Sequence, residues 1–423
     1  MDKTFSQQEA VELKDPLKKQ SFKIMMLCWE YPPNIVGGLS RHVYGLSVHL
    51  AAIGHQVHVL TAGNGNLPSY EIISGVHVHR VSPFNQYEDD FFAWIGGLNL
   101  AIAFKAERLA EDIDFDIIHA HDWLVSSAAI VLKETLALPL LSTIHATEYG
   151  RNNGIHNEKQ QFIHSQEQQL NAESDQIIVC SDYMKNVLTT IFHTSNEKIA
   201  IIPNGIDPLK AEPTAVGIYP ELKEKKYIFS LGRMVKEKGF ATIIEAAMMA
   251  KNENLDCFFV VAGKGPMLET YRHKVCELNL ESHLTFIGYV TDEQRNALIA
   301  GSELAVIPSL YEPFGIVVLE TMIMAKPTIV SNTGGMKGIV KHLHTGLLMT
   351  PGDAQSLLNQ IKFLLNHPHK AEEIGNRGRQ IVTSLYGWKR IAAETSRVME
   401  DTLINFRVNV NEPIEPLIIN KKV

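Results

Sequence analysis

Two series of short apolar runs, each ending in polar residues and spaced widely enough for a helix between neighbours, constrain this 423-residue chain more than any other feature. The first series is KIMMLC, VHVLT, FDIIHAHDW, LPLLSTIHA and DQIIVCS. Between its first two runs, GGLSRHVYGLSVHLAAIGH carries apolar residues at helical spacing and stops at Gly54. Strand, glycine-containing loop, helix and strand in succession open a parallel βαβ fold. The second series, YIFSLGR, CFFVVAG, LTFIG, LAVIPS and PTIVSN, keeps similar intervals, and KGFATIIEAAMMA is one of its helices. Where they meet, IIPNGIDPLKAEPTAVGIYPELKEKK is rich in proline, glycine and charge, as a domain boundary would be. The expected fold is α/β, with two facing Rossmann-like domains built on parallel sheets. A flexible tail over 1–21 precedes a first domain at 22–205, a linker at 206–226 and a second domain from 227.

Composition narrows the function. A net charge of -8 with 20% charged residues supplies no broad basic field for nucleic acid or anionic lipid. The opening residues, MDKTFSQQEAVELKDPLKKQ, lack the apolar core of a secretory leader, and no apolar run is long enough to span a bilayer. A cytoplasmic protein is expected. Cys28, Cys180, Cys257 and Cys276 form no CxxC pair, and the first three lie in strand-like runs, so buried reduced thiols are expected.

The polar ends of the strands matter, because ligands of open parallel sheets bind beyond the carboxyl ends of the strands. That places Asp122, His145 and Ser181 near one crevice. In YEPFGIVVLE, Pro313 suits the first position of a helix, so the N–H groups of Phe314, Gly315, Ile316 and Val317 should face an anion. Glu312 and Glu320 stand eight residues apart, roughly 12 Å along a helix. That span brackets a diphosphate, with one carboxylate taking hydroxyls on either side.

EPFGIVVLE resembles the E-x7-E motif of retaining glycosyltransferases with the GT-B fold. The likeness extends through GGLSRHV, HDW, TIHATEYGRNNG, PNGID, LGRMVKEKG, VVAGKGP and SNTGG, and HAHDW with the Gly-Gly-Leu loop is most similar to the glycogen and starch synthase branch and its family-4 relatives. The resemblance implies that Glu312 holds donor-sugar hydroxyls and Glu320 the ribose. Arg233 and Lys238 would grip the donor diphosphate, and Gly37 and Gly38 would let the backbone approach it. His145 would touch the transferred sugar. Gly263, Gly265 and Tyr289 would line the nucleobase pocket. Asp122 reads equally as a strand-end cap or an acceptor-side aspartate. A helix over 385–408 would cross back to the first domain, leaving a tail at 409–423.

The implied reaction moves a hexose, glucose first, from a nucleotide-diphosphate sugar to a carbohydrate acceptor, an α-1,4-glucan before a lipid, a small glycoside or a cell-surface polymer. ADP-glucose and UDP-glucose are the favoured donors. No cofactor and no metal are expected. Asp114 and Asp116 spell the D-x-D metal signature of another transferase fold, but they precede a strand and read as its cap. A nucleotide-sugar epimerase shares the two-domain plan and lacks the combination of Arg233, Lys238 and E-x7-E. A glucan phosphorylase needs a cofactor-bearing lysine that no motif here nominates. A non-catalytic sugar-binding protein remains the alternative outside enzymes.

Overall fold

The computed structural model describes residues 21–63, 65–210, 219, 222 and 225–411. Most of both expected tails and part of the expected linker lie outside them, while 409–411, expected in the tail, continue the helix Trp388–Asn411. Among the described residues the first half of the chain forms one sheet of eight strands and the second half a sheet of six. The first holds β1 (Lys23–Leu27), β2 (Gln56–Ala62), β3 (Tyr70–Ile73), β4 (Val76–Val81), β5 (Ile117–His121), β6 (Leu140–Ile144), β7 (Gln176–Val179) and β8 (Ile199–Ile201) in the order β3-β4-β2-β1-β5-β6-β7-β8. The second holds β9 (Tyr227–Leu231), β10 (Phe258–Ala262), β11 (Leu284–Gly288), β12 (Leu304–Ile307), β13 (Thr328–Ser331) and β14 (Leu347–Met349) in the order β11-β10-β9-β12-β13-β14.

Helices on both faces explain why the strands read as unbroken apolar runs. In β1, Met25 and Leu27 enter one core cluster, while Ile24 and Met26 enter another on the opposite face. The wholly parallel first sheet expected from the sequence is corrected at one edge, where β3 runs antiparallel to β4. Ser74 and Gly75 both take positive φ, 50° and 84°, which suits a two-residue hairpin turn and excludes a helical crossover.

Strand order reverses at β1 in the first sheet, flanked by β2 and β5, and at β9 in the second, flanked by β10 and β12. Those switch points put the loops after β1, β5, β9 and β12 around a shared crevice. The halves also share a core, since one apolar cluster runs from Met25 and Leu27 to Phe314, Val318 and Tyr386. At the far end, the Ile206 N–H donates to the Tyr386 carbonyl at 2.8 Å. The helix Trp388–Asn411 then returns to the first half, where Trp388, Ile391, Ala392, Met399 and Leu403 pack with Val43, Leu46 and Leu50.

Cys28, Cys180 and Cys257 are buried free thiols and Cys276 is exposed. Burial pushes the Cys28 and Cys180 thiols up to about 12, so both stay protonated. No helix among the described residues is long and apolar enough to cross a membrane.

Candidate active site

Both switch points open on one cleft of about 1020 Å³. The first half contributes Gly37, Gly38, Asp122 and His145 to its walls, and the second contributes Arg233, Lys238, Gly263, Tyr289, Glu312, Phe314, Gly315, Ile316, Val317 and Glu320. Of the residues nominated from sequence, Gly265 stands apart. It lies against the Met234 backbone, where an added Cβ would sit 2.7 Å from the carbonyl oxygen, so it shapes the turn behind the wall. Asp116 accepts the Lys23 N–H at 2.7 Å, and neither it nor Asp114 borders the cleft.

The helix expected to begin at Pro313 begins at Ile316 and runs to Ile323. Gly315 caps it at φ 111°, a left-handed conformation that interrupts any earlier turn. From the first half, Ser181 Oγ donates to the Pro313 carbonyl at 2.6 Å and draws Pro313 across the cleft floor, with Phe314 buried beside it. The Val318 N–H already reaches the Gly315 carbonyl at 3.0 Å, so Ile316 and Val317 head the helix toward the cleft. The spacing of Glu312 and Glu320 along one continuous helix does not apply, because Glu312 lies in the loop before it.

Glu312 is held on both sides. The Gly335 N–H donates to its carbonyl at 2.9 Å, and a Cβ on Gly334 would fall 1.9 Å from the same oxygen. The glycines of SNTGG therefore support the Glu312 backbone, a role the sequence did not disclose. Its carboxylate lies 2.7 Å from Lys238 Nζ and accepts Ser309 Oγ at 3.3 Å. Lys238 ends a short turn, Lys236–Lys238, in which Arg233 pairs with Glu237 at 3.4 Å.

Across the cleft, Glu30 accepts the Val36 and Gly37 N–H groups and fixes the glycine loop. Gly38 opens the helix Gly38–Ala52, and a Cβ there would lie 3.1 Å from Ile316 Cδ1. Two helix N-termini thus face each other from opposite halves, beside Lys238 and Arg233. Each brings the positive end of a helix dipole, a setting for an anion, and at the first of them Glu30 already accepts the Gly37 N–H.

Glu320 is almost fully buried and pairs with the equally buried Arg295 at 3.2 Å. Arg295 also reaches Asp292 at 3.0 Å, and Asp292 takes Arg41 of the first half at 2.5 Å. Glu320 therefore heads a charged chain that spans the cleft. None of Glu30, Arg41, Arg295 or Ser309 was nominated from sequence; Arg41 and Arg295 meet partners, Asp292 and Glu320, that are distant in the chain. Tyr289 is 66% exposed, with Lys264 Nζ 5.2 Å from its ring.

Asp122 follows β5 in a left-handed conformation, φ 59°, and accepts the His145 N–H at 2.7 Å. It thus caps the end of β6 and also borders the cleft. Burial pushes its carboxyl up to about 6. Burial, helped by Arg151, pushes His145 down to about 3, so its ring is neutral at pH 7. Beside them Glu167, another residue missed from sequence, borders the cleft. It accepts the Glu148 N–H at 2.8 Å, while Oε2 is buried without a protein partner. Burial, with Asp122 nearby, pushes its carboxyl up to about 8.

The sign of the linkage follows. Because the folded chain keeps the Glu167 proton, stability from this group is fully present below the unfolded value of ~4.3 and is lost as pH rises through the folded value, here about 8. Glu167→Gln should therefore flatten the decline in urea midpoint between pH 6 and pH 9. A decline as steep as that of the wild type would show that Glu167 ionises freely in the folded chain.

Comparison with known proteins agrees with this geometry. Residues 36–209 match the model for Glycosyltransferase Family 4 and residues 214–381 that for Glycosyl transferases group 1. An uncharacterized glycosyltransferase of Methanocaldococcus jannaschii is 34% identical over 387 residues, covering 89% of this chain and 97% of that one. The glycogen synthase of Mycobacterium tuberculosis is 32% identical over 391 residues, covering 89% and 94% respectively. The structure of sucrose-phosphate synthase from Thermosynechococcus elongatus superposes with a TM-score of 0.79 at 23% identity, covering 91% of this chain and all of that one, a likeness of fold.

Proposed function

The chain belongs to the GT-B glycosyltransferases of the family 4 and group 1 type, and from that premise we propose that it transfers glucose, with retention, from a nucleotide-diphosphate sugar to an α-1,4-glucan. The observation that carries the donor reading is the approach of two helix N-termini, at Gly38 and Ile316, in a cleft that Lys238 and Arg233 also line. In this reading the diphosphate lies there, Glu312 accepts sugar hydroxyls, and Glu320 takes the ribose. His145 approaches the transferred sugar as a neutral donor or acceptor. Gly263 and Tyr289 border the base.

The C1–oxygen bond to the diphosphate breaks, leaving an oxocarbenium-like sugar. An acceptor hydroxyl attacks C1 from the same face, and its proton passes to the departing phosphate oxygen. Lys238, Arg233 and the helix ends stabilise the charge that develops there, so no cofactor and no metal is needed for the transfer. The acceptor reading has its own support. Trp29, Phe91 and Trp123 line the first-half wall near Asp122, offering flat apolar faces to sugar rings. A relative is also a glycogen synthase.

Incubation with ADP-glucose or UDP-glucose and maltoheptaose, in EDTA, should yield a product one hexose heavier. If that mass is absent while another acceptor is glycosylated, the glucan assignment falls and the transferase stands. Absence of transfer to any acceptor in a panel of glucans, lipids and small glycosides, from any donor, would overturn the proposed activity.

A further inference from the structure

We propose that His42, His121 and His145 form a site for a divalent transition cation of the zinc type, and that its occupancy inhibits transfer by withdrawing His145 from the cleft. The cation site rests on the histidines alone. Only the inhibition depends on the role proposed for His145.

Three separate elements supply the rings. His42 lies on the helix Gly38–Ala52, His121 ends β5, and His145 follows β6. The ring of His42 is 4.7 Å from His145 and 5.6 Å from His121, and His121 is 5.5 Å from His145. One nitrogen from each ring lies within 4.8 Å of the other two. His121 Nδ1 and His145 Nε2 share a hydrogen bond at 3.2 Å, which a bound ion would replace. A tetrahedral ion with nitrogen ligands at ~2.0–2.1 Å holds such pairs about 3.4 Å apart, so two of the three are already spaced to share one ion. His42 needs to close by roughly 1.5 Å to complete the set.

The hydrogen bonding is incomplete where this ion would sit. Both ring nitrogens of His42 are buried without a partner at hydrogen-bonding geometry. Asn204 lies close enough to His42 to favour its charged form, but burial outweighs it. Buried polar atoms are ordinarily paired, and leaving one unpaired is costly. One ion would use nitrogens of all three rings. Burial keeps all three neutral, which is the form that ligates. His145 borders the cleft, so a fourth position is open on that side. Imidazole nitrogen selects zinc and its neighbours, whereas Mg²⁺ and Ca²⁺ require oxygen.

A second histidine group provides the internal control. His58, His77 and His79 stack on β2 and β4, with His58 and His77 rings 4.4 Å apart and Tyr70 Oη bonded to His77 Nδ1. Its His58 Nδ1 and His79 Nε2 are 3.1 Å apart, but among the described residues it does not bring one nitrogen from each of three rings together as the first trio does.

The test is titration of the chelator-stripped full chain with Co²⁺. One equivalent should produce the visible band of a tetrahedral ion, displaced by Zn²⁺ and untouched by Mg²⁺. His42→Gln and His121→Gln should each abolish the band, and His77→Gln should retain it. Zn²⁺ should inhibit wild-type transfer in competition with the donor, and chelator should restore it. The site is overturned if no band forms, or if it survives both of the first two variants. It is equally overturned if only His77→Gln removes the band. A band with the expected dependence but no inhibition at saturating Zn²⁺ would overturn the inhibitory role and leave the ion site standing. A chain inactive toward every acceptor would still answer the first question, because the band needs no donor.

Discussion

Glu312→Ala is expected to lower kcat for glucosyl transfer by about 10²–10³-fold, equivalent to about 3–4 kcal/mol, with little change in the denaturant midpoint. The carboxylate faces the cleft and its partner is Lys238 at 2.7 Å, both side chains retaining some solvent contact. Removing it should therefore cost the fold about 1 kcal/mol or less. In the proposed reaction the effect falls on the transition state, where bonds to sugar hydroxyls that tighten as the ring flattens would be lost. Lys238→Ala should lower kcat to a similar extent by leaving the departing phosphate less neutralised. Because Glu312 orients Lys238 and Lys238 balances Glu312, the double variant should be far less impaired than the product of the two single losses. Steady-state kinetics on all four proteins, alongside urea unfolding, separates these effects. Near-normal turnover in both single variants would remove the site from this part of the cleft.

What could be read in advance follows the physics of each element. Central strands such as β1 and β10 are covered on both faces, so their burial is written as continuous apolar sequence, and two such series give the two sheets. β3 is a short edge strand that exposes Tyr70 and Ile72, so it does not stand out from a loop. The start of the helix at Ile316 was misplaced because proline is a good opener in general. Here a left-handed Gly315 and the pull of Ser181 on Pro313 override that local preference. Site residues carried by the resemblance were nameable from their motifs. Those that orient them were not: Arg295 matters through Glu320, and Gly334 through the Glu312 carbonyl. A pairing across the fold leaves no trace in either local stretch. Glu167 was hidden in the same way, since only burial sets it, with Asn171, apart from the other polar residues of its helix.

Trp388→Ala is expected to be the most destabilising single change, about 3–5 kcal/mol by the usual cost of emptying a buried aromatic site. The indole fills a slot bounded by two glycines: a Cβ on Gly45 would fall 2.2 Å from its ring, and one on Gly205 would fall 2.4 Å from it. It also meets His42, with ring centroids 5.5 Å apart. Trp388 is the first residue of the helix that returns to the first half, directly after the bridge between Ile206 and Gly387. Its loss should loosen this helix from the helix Gly38–Ala52 before either sheet unfolds, and limited proteolysis should cut between Tyr386 and Trp388 sooner than in the wild type. Gly45→Ala should destabilise by the opposite route, overpacking the same slot. The pair is diagnostic. In Gly45→Ala combined with Trp388→Ala, the added methyl enters space the ring has left, so the double variant should be more stable than the sum of the two losses allows. Strict additivity of the urea unfolding energies would mean that the two residues do not share the slot, and the C-terminal helix would need another anchor.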